Sequence, residues 1–204
     1  MGHDLININQ KSVFLQRGNI IMAILRVSGN LGAGKTTICE RLAEALGYEN
    51  HYTGQVFRDL AKEKGLSIEV FYKQMVANPE LEKDIDNHQA RLMLTKDNII
   101  VQGRIAPFLP WKPGCKKIDI FFKVSDEEGA RRQLERKENK GKSLEEMTKL
   151  SQERVNEERQ RYSMLYPNIP DYLNEKLFDI VIDTTHLNPD RVFEKLIGKI
   201  RSLI

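Results

Sequence analysis

Eight consecutive residues, Gly29 to Thr36 with the sequence GNLGAGKT, have the residue types and spacing that bind the phosphates of a nucleotide. The glycines allow a tight turn whose backbone N–H groups point at phosphate oxygens. Lys35 supplies positive charge to the terminal phosphates, and the Thr36 hydroxyl is a candidate ligand for Mg²⁺. The predicted phosphate-binding residues are Gly29, Gly32, Ala33, Gly34, Lys35, Thr36 and Thr37.

The flanking residues predict the strand, loop and helix that such a motif needs. Ile20 to Val27 is nearly all apolar, which is typical of a strand buried on both faces of a parallel sheet. After the loop, Ile38, Leu42 and Ala45 recur at helical spacing, and Gly47 is a natural end for this helix. A glycine-rich turn that matched by chance would lack this context.

Strands and helices alternate along the rest of the chain. Further short strands are predicted at Asn98–Gln102, Ile118–Val124 and Phe178–Ile182. Helix starts are predicted at Ser67, Asn78–Pro79, Ser125, Ser143 and Asn188–Pro189. This alternation predicts an α/β fold of the P-loop NTPase type, with a five-stranded parallel sheet covered by helices on both faces.

Length and composition limit the other possibilities. The chain has 204 residues, of which 40% are hydrophobic and 30% charged, as expected of one globular domain. Its net charge of +3 is too small to indicate a nucleic-acid partner, and no apolar run is long enough to cross a membrane. Cys39 and Cys115 predict two reduced thiols. We expect a cytoplasmic protein, acting as a monomer.

Arginines occur in three elements that follow the loop: Thr53–Arg58, Val101–Arg104 and the stretch from Arg131 to Arg161. The Asn-Lys-x-Asp motif of the common GTPases does not occur. Phosphoryl transfer between two polyanions needs positive charge on both substrates and on the transferred group, because the chemistry is mostly positioning and electrostatics. The pattern therefore favours a kinase whose acceptor also carries a phosphate.

From about Ala23 to the final helix, the chain resembles the cytidylate kinases, which pass a phosphate from ATP to CMP or dCMP. The likeness is closest to the compact, short-insert form of that family. The stretches that carry it are Gly29–Thr37, Thr53-Gly54 with Phe57-Arg58, Asp84–Asp86 with Gln89, Gly103-Arg104, Glu153-Arg154 with Glu158, Arg161 and Tyr162, and Ile182–Thr185.

The resemblance implies a role for each matching side chain. Arg58 and Arg104, with Thr53 and Gly54 beside them, would hold the acceptor phosphate, since guanidinium forks suit phosphate. The lid arginines, which would close over the transferred group and share in catalysis with Lys35, are Arg132, Arg154 and Arg161. Asp86 and Gln89 would read the base.

The resemblance also implies the ligands and the division of the chain. ATP would be the phosphate donor, a nucleoside monophosphate the acceptor, and Mg²⁺ would be held through Thr36 and the nucleotide. Residues 22–204 would form one kinase domain, with acceptor-binding helices at about 55–95 and a lid at about 129–162. Residues 1–21 would form a flexible extension.

The chain departs from the family pattern at two single positions. Gln102 stands where the family has an acidic residue near Mg²⁺, and Asp119 or Asp183 could replace that carboxylate. Gly129 stands where the family often has a lid arginine.

Two further expectations come from these departures. Lys123 or Arg131 could supply the charge that Gly129 lacks. The proline-rich loop Pro107–Pro113, with Trp111 inside it, also differs from the family pattern, and we expect it to reshape the acceptor pocket.

Two alternative functions stay open at this point. One is a regulatory protein that binds nucleotides and turns over weakly, which Gln102 makes credible. The other is a P-loop kinase for a different small metabolite, such as dephospho-coenzyme A or shikimate. The sequence alone does not identify the acceptor's base.

Overall fold

The structure, a computed structural model, describes residues 22–78 and 80–204. Within these residues it has five strands and seven α-helices. The strands are β1 (Ala23–Gly29), β2 (Glu49–Tyr52), β3 (Ile99–Gln102), β4 (Lys116–Lys123) and β5 (Ile180–Asp183). The helices are α1 (Lys35–Leu46), α2 (Thr53–Glu63), α3 (Ile68–Ala77), α4 (Glu80–Thr95), α5 (Asp126–Leu134), α6 (Leu144–Leu165) and α7 (Pro189–Leu203). The predicted extension at 1–21 and the helix start at Pro79 lie outside the described residues.

The five strands form one parallel sheet in the order β2-β3-β1-β4-β5. The central strand is β1, and all seven of its residues are buried, as its apolar run predicts. Because β1 pairs with β3 on one side and with β4 on the other, the strand order reverses at the carboxyl end of β1. In open α/β sheets, ligands bind at such a reversal.

Apolar side chains cover both faces of the sheet. One layer joins Leu25 and Ile120 of the sheet to Leu42 of α1 and Leu196 of α7. The opposite layer joins the sheet to α4, and Tyr162 of α6 and Tyr166, which directly follows α6, pack against it. None of the helices within 22–78 and 80–204 has the length and apolar character of a membrane span.

Strand β2 is the element that apolar patterning did not locate. It has the sequence ENHY, lies at the edge of the sheet, and keeps every side chain at least partly exposed. An edge strand with a solvated face needs no continuous apolar run. The helix starts, by contrast, match the predictions. The side chains of Ser67, Ser125, Ser143 and Asn188 accept hydrogen bonds from backbone N–H groups in the first turns of their helices.

The loop Pro107–Pro113 packs against the middle of the sheet. Arg26 of β1 donates two hydrogen bonds to the carboxylate of Asp119, at 2.6 and 2.8 Å, and a third to the Leu109 carbonyl oxygen at 3.0 Å. The Trp111 ring lies over the same guanidinium, 4.7 Å from its centroid. The tryptophan of this loop therefore covers a buried ion pair within the sheet, and no residue of the loop lines the cavity at the carboxyl ends of the strands.

Gly129 lets α5 approach the phosphate-binding loop. A Cβ atom at Gly129 would lie 2.7 Å from the Leu31 carbonyl oxygen, and one at Gly32 would lie 2.2 Å from the Gly129 carbonyl oxygen. Both contacts are with backbone, which side-chain rotation cannot relieve. The missing arginine at this position thus has a steric reason.

Replacing Gly129 with alanine is expected to lower the free energy of unfolding by about 1–3 kcal/mol, because the loop backbone must shift to admit the methyl group. The matched control is Gly198→Ala in α7, where a Cβ would meet no atom within 4 Å. That change should raise stability by up to about 1 kcal/mol through helix propensity. Urea denaturation of both variants measures the difference, and equal effects would contradict the steric explanation.

Candidate active site

A cavity of about 580 Å³ opens at the carboxyl ends of the central strands, where the strand order reverses. Its wall combines the phosphate-binding loop, the start of α2, one face of α4, the end of β3 and the middle of α6. The predicted site residues that line it are Gly32, Ala33, Gly34, Lys35, Thr36, Thr37, Thr53, Gly54, Arg58, Asp86, Arg104, Arg154 and Arg161.

The loop has the conformation that its glycines allow. Gly32 and Gly34 have φ values of +72° and +79°, and a Cβ at Gly29 would lie 2.2 Å from the Phe122 carbonyl oxygen. The Lys35 ammonium donates to the carbonyl oxygens of Gly29 and Asn30, at 2.9 and 2.6 Å. Burial, with Arg104 nearby, holds the pKa of Lys35 well below its usual value. An anionic ligand at this position would offset the cost of that charge.

Arg104 connects three elements of the site. From the end of β3, its Nε donates to Glu158 Oε2 of α6 at 2.7 Å, and its Nη1 donates to the Gly29 carbonyl oxygen at 2.9 Å. Arg154 donates to the other oxygen of Glu158 at 2.9 Å. Burial opposes the charge of Glu158, but the two arginines outweigh it and lower the pKa of this carboxyl to about 2. Glu158 therefore stays ionised and fixes both guanidinium groups.

Arg58 is held differently, at the start of α2. Its side chain is exposed and donates to the Tyr52 hydroxyl and to Gln55 Oε1. Both partners are neutral, so neither of them compensates the positive charge of Arg58. Arg58 and Arg104 line the same cavity as the phosphate-binding loop.

Helix α4 presents two carboxylates to the cavity and to the C-terminal half of α6. Arg161 donates to Glu82 through Nε and through Nη2, the latter at 3.4 Å. The Tyr166 hydroxyl donates to Asp86 Oδ2 at 2.7 Å. Burial raises the pKa of Asp86 to about 7, although the hydrogen bond from Tyr166 acts in the opposite direction.

Three of the predicted site residues do not line the cavity, namely Gly29, Gln89 and Arg132. Gln89 donates to Thr53 Oγ1 and to the Gln102 carbonyl oxygen, at 2.9 and 3.0 Å, and is fully buried beneath the cavity wall. In this position it braces the start of α2 against β3. Arg132 donates to the hydroxyl and carbonyl oxygens of Thr184, at 3.1 and 2.7 Å, so it contacts the end of β5.

Sequence reasoning missed Arg136, which lines the cavity from the connection between α5 and α6. The sequence contained an indication of this role, because Arg136 belongs to the run of basic residues that begins at Arg131. Neither candidate for replacing the arginine absent at Gly129 reaches the cavity. Lys123 pairs with Glu175 at 2.9 Å, and the exposed Arg131 pairs with Glu127 at 2.7 Å.

Gln102 occupies the position where an acidic residue was expected. Its side chain is buried at the cavity wall and donates to Asn50 Oδ1 at 2.8 Å. Asp119 is bound to Arg26 inside the sheet and cannot replace the missing carboxylate. Asp183 lies on the edge strand β5, exposed, where it accepts a hydrogen bond from the backbone N–H of Thr185 at 2.9 Å.

The donor set near the loop is consistent with a magnesium ion carried by the nucleotide. Among residues 22–78 and 80–204 no group of three or more His, Cys, Asp or Glu side chains could hold a metal ion. Glu158 lies near the loop but already pairs with Arg104 and Arg154, so its carboxylate is engaged by these two arginines and not by a metal ion. The exposed Thr36 hydroxyl at the cavity fits a single protein ligand, with phosphate oxygens and water completing the shell.

Solved structures place this architecture among the P-loop kinases. The shikimate kinase from Bacteroides thetaiotaomicron matches with a TM-score of 0.57 at 15% identity, over 88% of this chain and 99% of that one. The shikimate kinase from Aquifex aeolicus matches with a TM-score of 0.54 at 17% identity, over 87% of this chain and 96% of that one. The fold and the phosphate-binding loop together define the class of P-loop proteins, with the architecture that these two kinases share.

Sequence comparison identifies the family within that class. Residues 26–160 match the family described as AAA domain. The cytidylate kinase of Thermococcus kodakarensis is 34% identical over 83% of this chain and 83% of its own length. The cytidylate kinase of Methanopyrus kandleri is 32% identical over 90% of this chain and 96% of its own length. The chain belongs to the cytidylate kinase family of nucleoside monophosphate kinases.

Proposed function

We propose that this enzyme transfers the γ-phosphoryl group of ATP to CMP or dCMP, giving ADP and CDP or dCDP. The observation that carries the proposal is one cavity that joins the phosphate-binding loop to Arg58 and Arg104 on the acceptor side. Its relatives named cytidylate kinase support a cytidine acceptor. Shikimate kinases share the fold at 15% and 17% identity, which supports no common acceptor.

In the proposed reaction, the residues divide between donor, acceptor and transferred group. The loop and Lys35 hold the β- and γ-phosphates, while Arg58 and Arg104 hold the acceptor phosphate in line with them. Arg154 and Arg161 lie on α6 beside the same space and stabilise charge on the group in transfer. Arg132, tied to Thr184, would have to leave that partner to join them.

We also propose that a magnesium ion binds together with the nucleotide. Thr36 would bind it, and when bound it would neutralise charge on the β- and γ-phosphates. Gln102 can contribute only a neutral amide to its water shell. A slow enzyme that binds magnesium weakly is therefore part of what we propose.

We propose a domain organisation from the elements that line the cavity. Residues 22–204 form one kinase domain, α2 to α4 bind the acceptor, and α5 with α6 forms the lid. We propose that the enzyme acts as a monomer. We place the enzyme in the cytoplasm, where ATP and nucleoside monophosphates are available to it.

The direct test is an ADP-release assay with ATP and Mg²⁺ across CMP, dCMP, UMP, AMP, shikimate and dephospho-coenzyme A. Phosphorylation of CMP or dCMP with the highest kcat/KM is the expected result. Preference for a non-nucleotide acceptor would refute the proposal and identify the chain as a P-loop kinase for another small metabolite. ATP binding by calorimetry without ADP production from any acceptor would leave the regulatory alternative.

Changing Gln102 to glutamate is expected to lower the Mg²⁺ concentration for half-maximal rate by about 10-fold and to raise kcat, because a carboxylate binds the metal's water shell more strongly than an amide. Asn50 can rotate its amide to donate to the new carboxylate. The matched control is Gln74→Glu, which adds the same charge at an exposed position on α3. An unchanged or weaker magnesium dependence in Gln102→Glu would refute this expectation.

A further inference from the structure

Two neighbouring carboxylates of α4 bind the C-terminal half of α6. Glu82 and Asp86 are four residues apart, lie on one face of the helix and are only 5% and 4% exposed. Glu82 uses both of its oxygens to accept from the Arg161 guanidinium. Asp86 accepts from the Tyr166 hydroxyl at 2.7 Å. The acceptor-binding helix and the lid helix are thus linked through these two acids.

The same two carboxylates line the cavity on its acceptor side. Beside them lie the apolar side chains of Met75 and Ile85, a surface on which a planar base can rest. The carboxylate of Glu82, which pairs with the Arg161 guanidinium, only accepts hydrogen bonds. It therefore favours a base with an exocyclic amino group, as in cytosine, over one with a carbonyl oxygen at that position, as in uracil.

Arg161 and such a base compete for Glu82. The guanidinium occupies both oxygens of the carboxylate, so an entering amino group must displace at least one of its hydrogen bonds. Arg161 also lines the cavity that contains Lys35 and Thr36, and a weakened pair would leave it free to turn towards a phosphoryl group.

We infer that Glu82 is a specificity and positioning residue, which holds Arg161 until an acceptor base with an exocyclic amino group takes over its oxygens. The inference rests on the proposed kinase function. Base recognition at Glu82 then releases the arginine that stabilises the transferred group. Without an acceptor, Arg161 stays on Glu82, and transfer of the phosphoryl group to water is suppressed.

The test is Glu82→Gln, which keeps the shape of the side chain but removes the charge that holds Arg161. With ATP and Mg²⁺ alone, water attacks the γ-phosphorus, the bond to the bridging oxygen breaks, and ADP, phosphate and a proton form. We expect this hydrolysis to rise about 10-fold in the variant, and the ratio of kcat/KM for CMP to that for UMP to fall about 10-fold.

The matched control is Glu80→Gln on the same helix, where the exposed Glu80 pairs with Lys83 at 2.8 Å. It should retain the wild-type hydrolysis rate and base preference. Glu82→Asp keeps the charge on a shorter side chain and should give an intermediate rise in hydrolysis. This variant also provides the test if Glu82→Gln does not fold.

Unchanged acceptor-free hydrolysis in folded Glu82→Gln and Glu82→Asp would overturn the inference, whatever happens to the rate with CMP. A fall in both rates together would show a structural role and would also overturn it. Failure of the proposed function looks different, because the wild-type enzyme itself would then phosphorylate neither CMP nor dCMP.

Discussion

Replacing Lys35 with alanine is expected to lower kcat for phosphoryl transfer by about 10³-fold, the largest loss among the changes considered. Removing a preorganised charge from a water-poor site costs roughly 10²–10³ in rate for a single donor, and Lys35 would contact both the leaving and the transferred phosphates. The measurement is steady-state ADP release with ATP, Mg²⁺ and CMP.

The fold should tolerate this change. The buried ammonium of Lys35 has a lowered pKa, so its charge costs the folded state free energy, and its two partners are carbonyl oxygens of the loop. The free energy of unfolding should change by less than about 1.5 kcal/mol, the net contribution of a typical hydrogen bond. Lys199→Ala, at an exposed position on α7, is the control. A kcat within tenfold of wild type in folded Lys35→Ala would contradict the placement of ATP.

Replacing Arg104 with alanine is expected to lower kcat/KM for the acceptor by about 10³-fold, through a higher KM and a lower kcat. A bidentate guanidinium would bind the acceptor phosphate in both ground and transition states. The structure adds a second consequence. Glu158 would lose its closest partner and keep Arg154 and the hydrogen bond from the Tyr172 hydroxyl, so stability should fall by about 3 kcal/mol, as expected for a broken buried ion pair.

Arg58→Ala is the matched comparison, since Arg58 is exposed and has neutral partners. It should raise the acceptor KM by about 10-fold with little change in stability. Acceptor kinetics, ATP affinity by calorimetry and urea denaturation separate the effects. A loss of ATP affinity that exceeds the loss of acceptor affinity in Arg104→Ala would place this arginine on the donor side.

The fold could be predicted because its determinants are local. The apolar run before the loop, the glycine spacing and the caps at Ser125 and Ser143 act within a few residues, and each appears in the structure where expected. Strand β2 is the exception, since an edge strand with partly exposed side chains has no pattern of its own. Its pairing with β3 is what makes it a strand.

The site could be predicted only in part. Motif chemistry brought Arg58, Arg104, Arg154 and Arg161 into consideration, and all four line the cavity. It could not separate them from Arg132, because arginines on charged helices look alike until their partners are known. Arg132 faces Thr184, and Arg136 takes a place at the cavity wall.

The sequence by itself determined the backbone turn of the predicted phosphate-binding loop, since GNLGAGKT supplies its glycines and its lysine within eight residues. Only the tertiary structure decided which acids hold which arginines. Glu158 fixes Arg104 from 54 positions away, and Glu82 holds Arg161 across 79 positions. Such pairs depend on how α4 and α6 pack around the end of the sheet, and no local pattern in the sequence records that geometry.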